Sequence, residues 1–184
     1  EEADFKAVYL SGAGVANSLL GAPDLGMVTQ TEIANIADLV CQAVDIPVIA
    51  DGDTGYGGVH NVARTIRLYE RAGVAAIQLE DQAFPKKCGH FEGKVVVSVE
   101  EMVQRIQAAR DARSNDEGIL IIARTDARAS LGLNAAIDRA KIYAEAGADL
   151  LFVEAPHSED ELAQIGSELS GHRLMANMVE FGKT

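Results

Sequence analysis

Six short runs rich in β-branched and aliphatic residues alternate with five longer segments of helical periodicity, and each run ends in a polar or ionisable residue. These observations predict an α/β fold of the (β/α)8, or TIM, barrel type, with the sequence covering about six of the eight strands. Strands that alternate with helices pair in parallel through right-handed crossovers. A doubly wound sheet gathers its polar strand ends at one switch point, whereas a barrel spreads them around one rim. The ends here read Ser11-Gly12, Asp51-Gly52-Asp53, Glu80-Asp81, Arg124-Thr125-Asp126, Glu154 and Asn177, a succession that favours the rim. Six strands do not close an eight-stranded cylinder, so the rest of the wall lies outside this sequence or is supplied by another chain.

In chain order the strands are expected at 7–11, 47–51, 75–80, 119–124, 150–154 and 173–177, and the helices at about 30–44, 59–72, 98–113, 134–146 and 158–169. Val62, Ile66 and Tyr69 recur at helical spacing within the second helix. Gly73 and Gly147 follow two helices, where a glycine accepts the left-handed turn without steric cost. Ser98 and Ser158 stand at helix starts, with Glu101 and Glu161 three residues on, the spacing of a capping box. No proline-, glycine- or serine-rich linker interrupts the alternation, so residues 1–184 are expected to form a single, partial barrel domain.

The formal charge of −12 argues against a nucleic-acid partner, whose electrostatic footprint is basic. An anionic substrate would have to be drawn in by a local positive site. Two cysteines, Cys41 and Cys88, make no disulfide framework and fit a reducing cytoplasm. Cys41 lies in an apolar helical run and reads as a small core residue. No apolar run approaches the ~18 residues of a membrane span. The N-terminus has no basic n-region and no initiator methionine, so neither a signal peptide nor a complete gene product is expected.

Within this frame, Lys86-Lys87-Cys88-Gly89-His90 places a thiol among two ammonium groups and an imidazole, which favours a reactive thiolate; the alternative is a lysine-rich surface turn. Asp51 and Asp53, two apart at a strand end, can present both carboxylates to one hard cation such as Mg2+ or Mn2+, or can be a solvated Asp-Gly turn. Glu80 suits water-mediated metal binding or proton transfer, and equally a structural pairing with Lys86, Lys87 or Arg124. Arg124 suits a bidentate clamp on a substrate carboxylate, or a barrel-top salt bridge with Glu80 or Glu154. Ser11-Gly12-Ala13-Gly14 offers a hydroxyl and bare N–H groups, as a carboxylate nest or merely as a turn. Asn177 can donate to a substrate oxygen or bond the backbone.

The blocks YLSGAG (9–14), PDLG (23–26), DGDTGYGG (51–58), LEDQ (79–82) with KKCGH (86–90), ARTDAR (123–128), FVEAP (152–156) and ANMVEFGKT (176–184) resemble, in this order, the isocitrate lyase/phosphoenolpyruvate mutase superfamily. The resemblance spans essentially the whole chain and is nearest to the 2-methylisocitrate lyase and 2,3-dimethylmalate lyase branch. It implies an Mg2+-dependent lyase that cleaves a C–C bond beside a hydroxyl-bearing carbon by retro-aldol chemistry, acting on a small carboxylate as a cytoplasmic homotetramer. Related oxaloacetate hydrolases, and more remotely phosphonomutases, are the alternatives. By motif it implies Asp51 and Asp53 at the metal, and Ser11, Gly12, Ala13, Asp24, Gly89, Arg124, Glu154 and Asn177 at the substrate. Ala13 stands where members often carry glycine. It further implies Cys88 as general acid, supported by Lys86 and His90, with Tyr9 or Glu80 as base.

Overall fold

The computed structural model describes residues 4–87, 93–115 and 118–179. Six strands, β1 (Val8–Leu10), β2 (Val48–Asp51), β3 (Ala76–Glu80), β4 (Leu120–Thr125), β5 (Leu150–Val153) and β6 (Arg173–Met175), form one sheet in chain order. Every neighbouring pair is parallel. The order never reverses, so no doubly wound switch point exists in this sheet. Tyr9 of β1 and Met175 of β6, at opposite edges, line the same cavity, which makes the sheet a curled part-barrel. The expected strand positions hold to within one or two residues; β5 and β6 end just before Glu154 and Asn177.

Helices α2 (Gln30–Ala43), α3 (Val59–Ala72), α4 (Val99–Ala112), α6 (Leu133–Glu145) and α7 (Glu159–Glu168) occupy the expected segments. Gly73 and Gly147 take φ of 86° and 108° at helix ends, as expected. Ser98 and Ser158 cap α4 and α7 by accepting from the Glu101 and Glu161 N–H groups, both at 3.2 Å. The reciprocal half is missing because arginines claim the glutamates: Glu101 pairs with Arg105 and Glu161 with Arg128, each at 2.6 Å. A complete capping box instead starts α2, between Thr29 and Glu32. Two short helices were not apparent from periodicity, α1 (Gly12–Val15), which runs into a π turn at Ala16–Leu20, and α5 (Arg128–Leu131). Four residues are too few to display a helical period.

The strands sort their side chains by parity. Ile77, Leu79, Ile121, Ala123, Leu151 and Val153 face the helices and join Ile33, Val62, Ile66, Tyr69, Met102, Ile106 and Ile137 in the main core. Cys41 packs half-buried against this core. The alternate positions Ala76, Ile122 and Phe152 face the barrel axis, with Ile49, Leu120, Leu150 and Met175 around them. Burying each large aliphatic side chain contributes roughly 1.5–3 kcal/mol. Among the described residues no helix is long and apolar enough to cross a membrane.

One buried acid ties the rim together. Asp81, just past β3, accepts from Thr125 Oγ1 at 2.7 Å, the Asp126 N–H at 2.9 Å, Tyr143 Oη at 2.8 Å and Arg139 Nη1 at 3.1 Å. It thereby joins β3, β4 and α6 with no solvent exposure. Removing it leaves the Thr125 and Tyr143 hydroxyls without this acceptor and the half-buried Arg139 guanidinium without its carboxylate. Asp81→Ala is therefore expected to cost about 3–5 kcal/mol in urea denaturation; a loss below ~1 kcal/mol would show that the network is dispensable.

Candidate active site at the carboxyl ends of the strands

Along each strand the axis-facing positions climb from apolar to polar. Ile49 is followed by Asp51, Ala76 by Gln78 and Glu80, Ile122 by Arg124, Phe152 by Glu154, and Met175 by Asn177. The upper members line a cavity of about 450 Å3. Tyr9, Ser11, Ala13, Asp24, Asp51, Glu80, Lys86, Arg124, Glu154 and Asn177 all border it. Asp53 and Gly12 stand directly behind, in contact with Lys86 and Asp51 respectively. Cys88, Gly89 and His90 lie outside the described residues.

The two aspartates converge, but not by strand alternation as expected. Asp53 lies beyond β2 in a turn, with φ of 46°, and its N–H donates to Asp51 Oδ1 at 3.0 Å. The other Asp51 oxygen accepts from the Gly12 N–H at 3.2 Å. A Cβ on Gly12 would sit 2.9 Å from that oxygen, so the approach needs glycine. Tyr69 Oη fixes the same strand end by donating to the Asp51 carbonyl at 2.8 Å. Burial, and then the neighbouring Asp51, push the Asp53 carboxyl up to about 7.

Lys86 is the cation these acids already hold. Its Nζ lies 2.6 Å from both Asp53 Oδ1 and Asp24 Oδ1, and only 3% of the residue is exposed. Burial works against its charge, yet Asp53, Asp51 and Glu80 hold its pKa above the ordinary lysine value. In this structure Lys86 is thus bound to protein carboxylates, and both it and Asp24 border the cavity. Glu80 is 2% exposed, and its Oε1 has no hydrogen-bond partner among the described residues. Burial raises its pKa well above the carboxylate range, against the opposing pull of Arg124.

Arg124 borders the cavity and forms the barrel-top ion pairs that were the alternative to a substrate clamp. Its Nε and Nη2 donate to the two carboxylate oxygens of Asp126, each at 3.0 Å, so that edge of the guanidinium is taken. Glu80 and Glu154 stand farther off, at 3.6 and 3.8 Å. The guanidinium lies 5.4 Å from the centre of the Phe152 ring. Asp126 is shared with Lys94 at 2.7 Å, both buried. Sequence reasoning passed over Asp126, although it stands two residues past Arg124. It had no signal for Lys94, which reaches Asp126 from 32 residues away.

In the Ser11–Gly14 stretch two N–H groups are already engaged, while Ser11 and Ala13 border the cavity. Ser11 caps α1, its Oγ accepting from the Gly14 N–H at 3.2 Å, while the Gly12 N–H serves Asp51. Tyr9 Oη donates to Gln78 Oε1 at 2.8 Å. Burial, followed by the Asp51 charge, raises the phenol well above its ordinary pKa, so Tyr9 keeps its proton. Gln78, Phe152 and Met175 line the cavity without having been anticipated. Gln82 clamps the backbone leading to Cys88, donating to the Lys87 carbonyl at 2.8 Å and accepting from the Lys87 N–H at 3.0 Å.

The pocket's charge bears on what it can hold. Among the described residues no three metal-ligating side chains are gathered as a ready-made ion cage. Nevertheless Asp24, Asp51, Asp53, Glu80, Asp126 and Glu154 outnumber Lys86, Lys94 and Arg124, and one Glu80 oxygen is unsatisfied. Hard oxygen donors with an uncompensated buried negative charge fit Mg2+ or Mn2+, which keep waters in their shell, and do not suit zinc.

Curated relatives include a 2,3-dimethylmalate lyase of Eubacterium barkeri, 52% identical over 98% of this chain, and a 2-methylisocitrate lyase of Shewanella oneidensis, 49% identical over all of it. The chain spans 62% of the length of each. Among solved structures, a 2,3-dimethylmalate lyase superposes with a TM-score of 0.96 at 42% identity, and an oxaloacetate acetylhydrolase with 0.96 at 40%. Each is matched by the whole chain, which covers 62% and 63% of them. A phosphonopyruvate hydrolase solved with oxalate and Mg2+ superposes with 0.83 at 31%, over 95% of this chain and 60% of that one. The family model described as phosphoenolpyruvate phosphomutase matches residues 1–183. With the strand order, the acidic rim and these matches agreeing, the chain belongs to the phosphoenolpyruvate mutase/isocitrate lyase superfamily.

Proposed function

We propose that the intact protein is a Mg2+-dependent carbon–carbon lyase that cleaves 2-methylisocitrate to pyruvate and succinate, or acts on a close 2-hydroxy di- or tricarboxylate in the same way. The observation that carries this reading is the rim itself: buried carboxylates in excess of buried cations, around a cavity sized for a small acid. An anionic substrate entering such a pocket would be repelled unless a divalent cation came with it. Asp51 and Asp53 would hold that cation, which supplies Lewis acidity toward the substrate's hydroxyl and carboxylate.

The chain's own groups then divide the proton work. Tyr9 retains its proton and is the weaker candidate for base. Glu80, a carboxyl with an unpartnered oxygen beside the cavity, would be the better one in its ionised form. It takes the hydroxyl proton as the C–O bond becomes a carbonyl and the adjacent C–C bond breaks. The bonding pair passes to the departing fragment, and Cys88 protonates that carbon. Arg124, held by Asp126, keeps a fixed positive charge beside the developing anion. The 2,3-dimethylmalate relative is as similar as the 2-methylisocitrate relatives, so 2,3-dimethylmalate is the second substrate reading.

A panel of 2-methylisocitrate, isocitrate, 2,3-dimethylmalate and oxaloacetate, assayed with the intact protein, tests this directly. Turnover of 2-methylisocitrate is expected with Mg2+ and is expected to vanish with excess EDTA. Unchanged turnover in EDTA would contradict the metal assignment. Cys88→Ser is expected to lower kcat by about 100- to 10,000-fold. Full kcat in that variant would remove Cys88 from the proton-delivery role.

A further inference from the structure

Gln78 occupies a position where an amide is costly. Its neighbours on β3, Ile77 and Leu79, belong to the core beneath the helices, so alternation turns Gln78 toward the barrel axis, below Glu80. The residue has no solvent exposure, and its register partner on β4 is the inward-facing Ile122. Its Oε1 accepts the Tyr9 hydroxyl at 2.8 Å. Its Nε2 is buried with no hydrogen-bond partner among the described residues, yet the side chain borders the cavity. A buried donor left unpaired is destabilising, so this nitrogen calls for an acceptor, and the cavity it borders is where a water or a ligand oxygen can supply one.

The orientation of the amide follows from Tyr9. Because the phenol retains its proton, it donates to the amide oxygen, and the two N–H bonds of Nε2 are left for the cavity. The opposite orientation would aim a carbonyl oxygen at an anionic ligand. Gln78 is also paired in register with Asp51, one strand away. Whatever Gln78 touches therefore lies beside the carboxylate proposed to hold the cation.

We propose that Gln78 is a substrate-binding residue. Its Nε2–H donates to an oxygen at the hydroxy-carboxylate end of the substrate, and Tyr9 is the positioning residue that holds the amide in that orientation. This rests on the lyase reading for the substrate's chemistry, but not on the cleavage step. The donor selects for ligands with an acceptor oxygen at that end: an analogue lacking it leaves Nε2 unpaired and is rejected more strongly than loss of a methyl group would predict.

Oxalate, which presents carboxylate oxygens at both ends, is the probe. Its affinity for the full-length, Mg2+-loaded protein is measured by calorimetry, alongside Mg2+ affinity and the melting temperature. Gln78→Met, of similar length but apolar, is expected to weaken oxalate binding about tenfold or more, with Mg2+ affinity unchanged within threefold and no loss of melting temperature. Tyr9→Phe is expected to weaken it less, and the double variant to bind no worse than Gln78→Met alone. If Gln78→Met destabilises the fold, Gln78→Asn keeps the amide but withdraws it by one methylene, and the same loss of oxalate affinity is expected. Wild-type oxalate affinity in either variant, or fully additive effects of the Tyr9 and Gln78 substitutions, would overturn the proposal. A wild-type protein that cleaves none of the four hydroxy acids while Gln78→Met still weakens oxalate would overturn the lyase reading and leave the Gln78 assignment standing.

Discussion

Period-two alternation in six parallel strands governs both the packing and the chemistry of this chain. Each strand sends one set of side chains to the helices and the other to the axis. On the axial side, Ile49, Ile122 and Phe152 build an apolar floor, and the residues two positions further on, Asp51, Arg124 and Glu154, build the rim above it. The floor keeps water from beneath the rim, so the charges above interact through a medium of low dielectric. There, pairing and desolvation are both much larger than at a surface.

The rim is consequently an electrostatic structure before it is a catalytic one. Asp126 orients Arg124 and receives Lys94, Asp81 gathers Thr125, Tyr143 and Arg139, and Asp24 and Asp53 bracket Lys86. These pairings lock the wall in place. They do not satisfy every acid: burial raises the Asp53 and Glu80 carboxyls, and one Glu80 oxygen has no hydrogen-bond partner among the described residues. On the proposed lyase reading, a divalent cation and an anionic substrate would be mutually dependent guests here. Phe152, under the Arg124 guanidinium, and Gln78, beneath Glu80, shape the space they share.

The sequence made the barrel legible because its signals are local and periodic: helical spacing at Val62, Ile66 and Tyr69, end-glycines at Gly73 and Gly147, and polar residues at six strand ends. Ten of the expected site residues line one cavity for the same reason, since strand ends meet at one rim. Pairing was less legible. Nothing local says that Lys86 folds back onto Asp24, or that Asp126 takes one edge of the Arg124 guanidinium. Those contacts depend on tertiary distance. Gln78 was invisible for a different reason: a single amide inside an apolar strand carries no motif, and only burial with an unpaired nitrogen distinguishes it.

The central claim is that the strand-end aspartates form a divalent-cation site. Electron paramagnetic resonance of Mn2+ titrated into the intact protein tests it without reference to any substrate. The account predicts one bound Mn2+ per chain, displaced by Mg2+, and loss of that ion in both Asp51→Asn and Asp53→Asn while the fold is retained. Full Mn2+ binding in those two variants would contradict it.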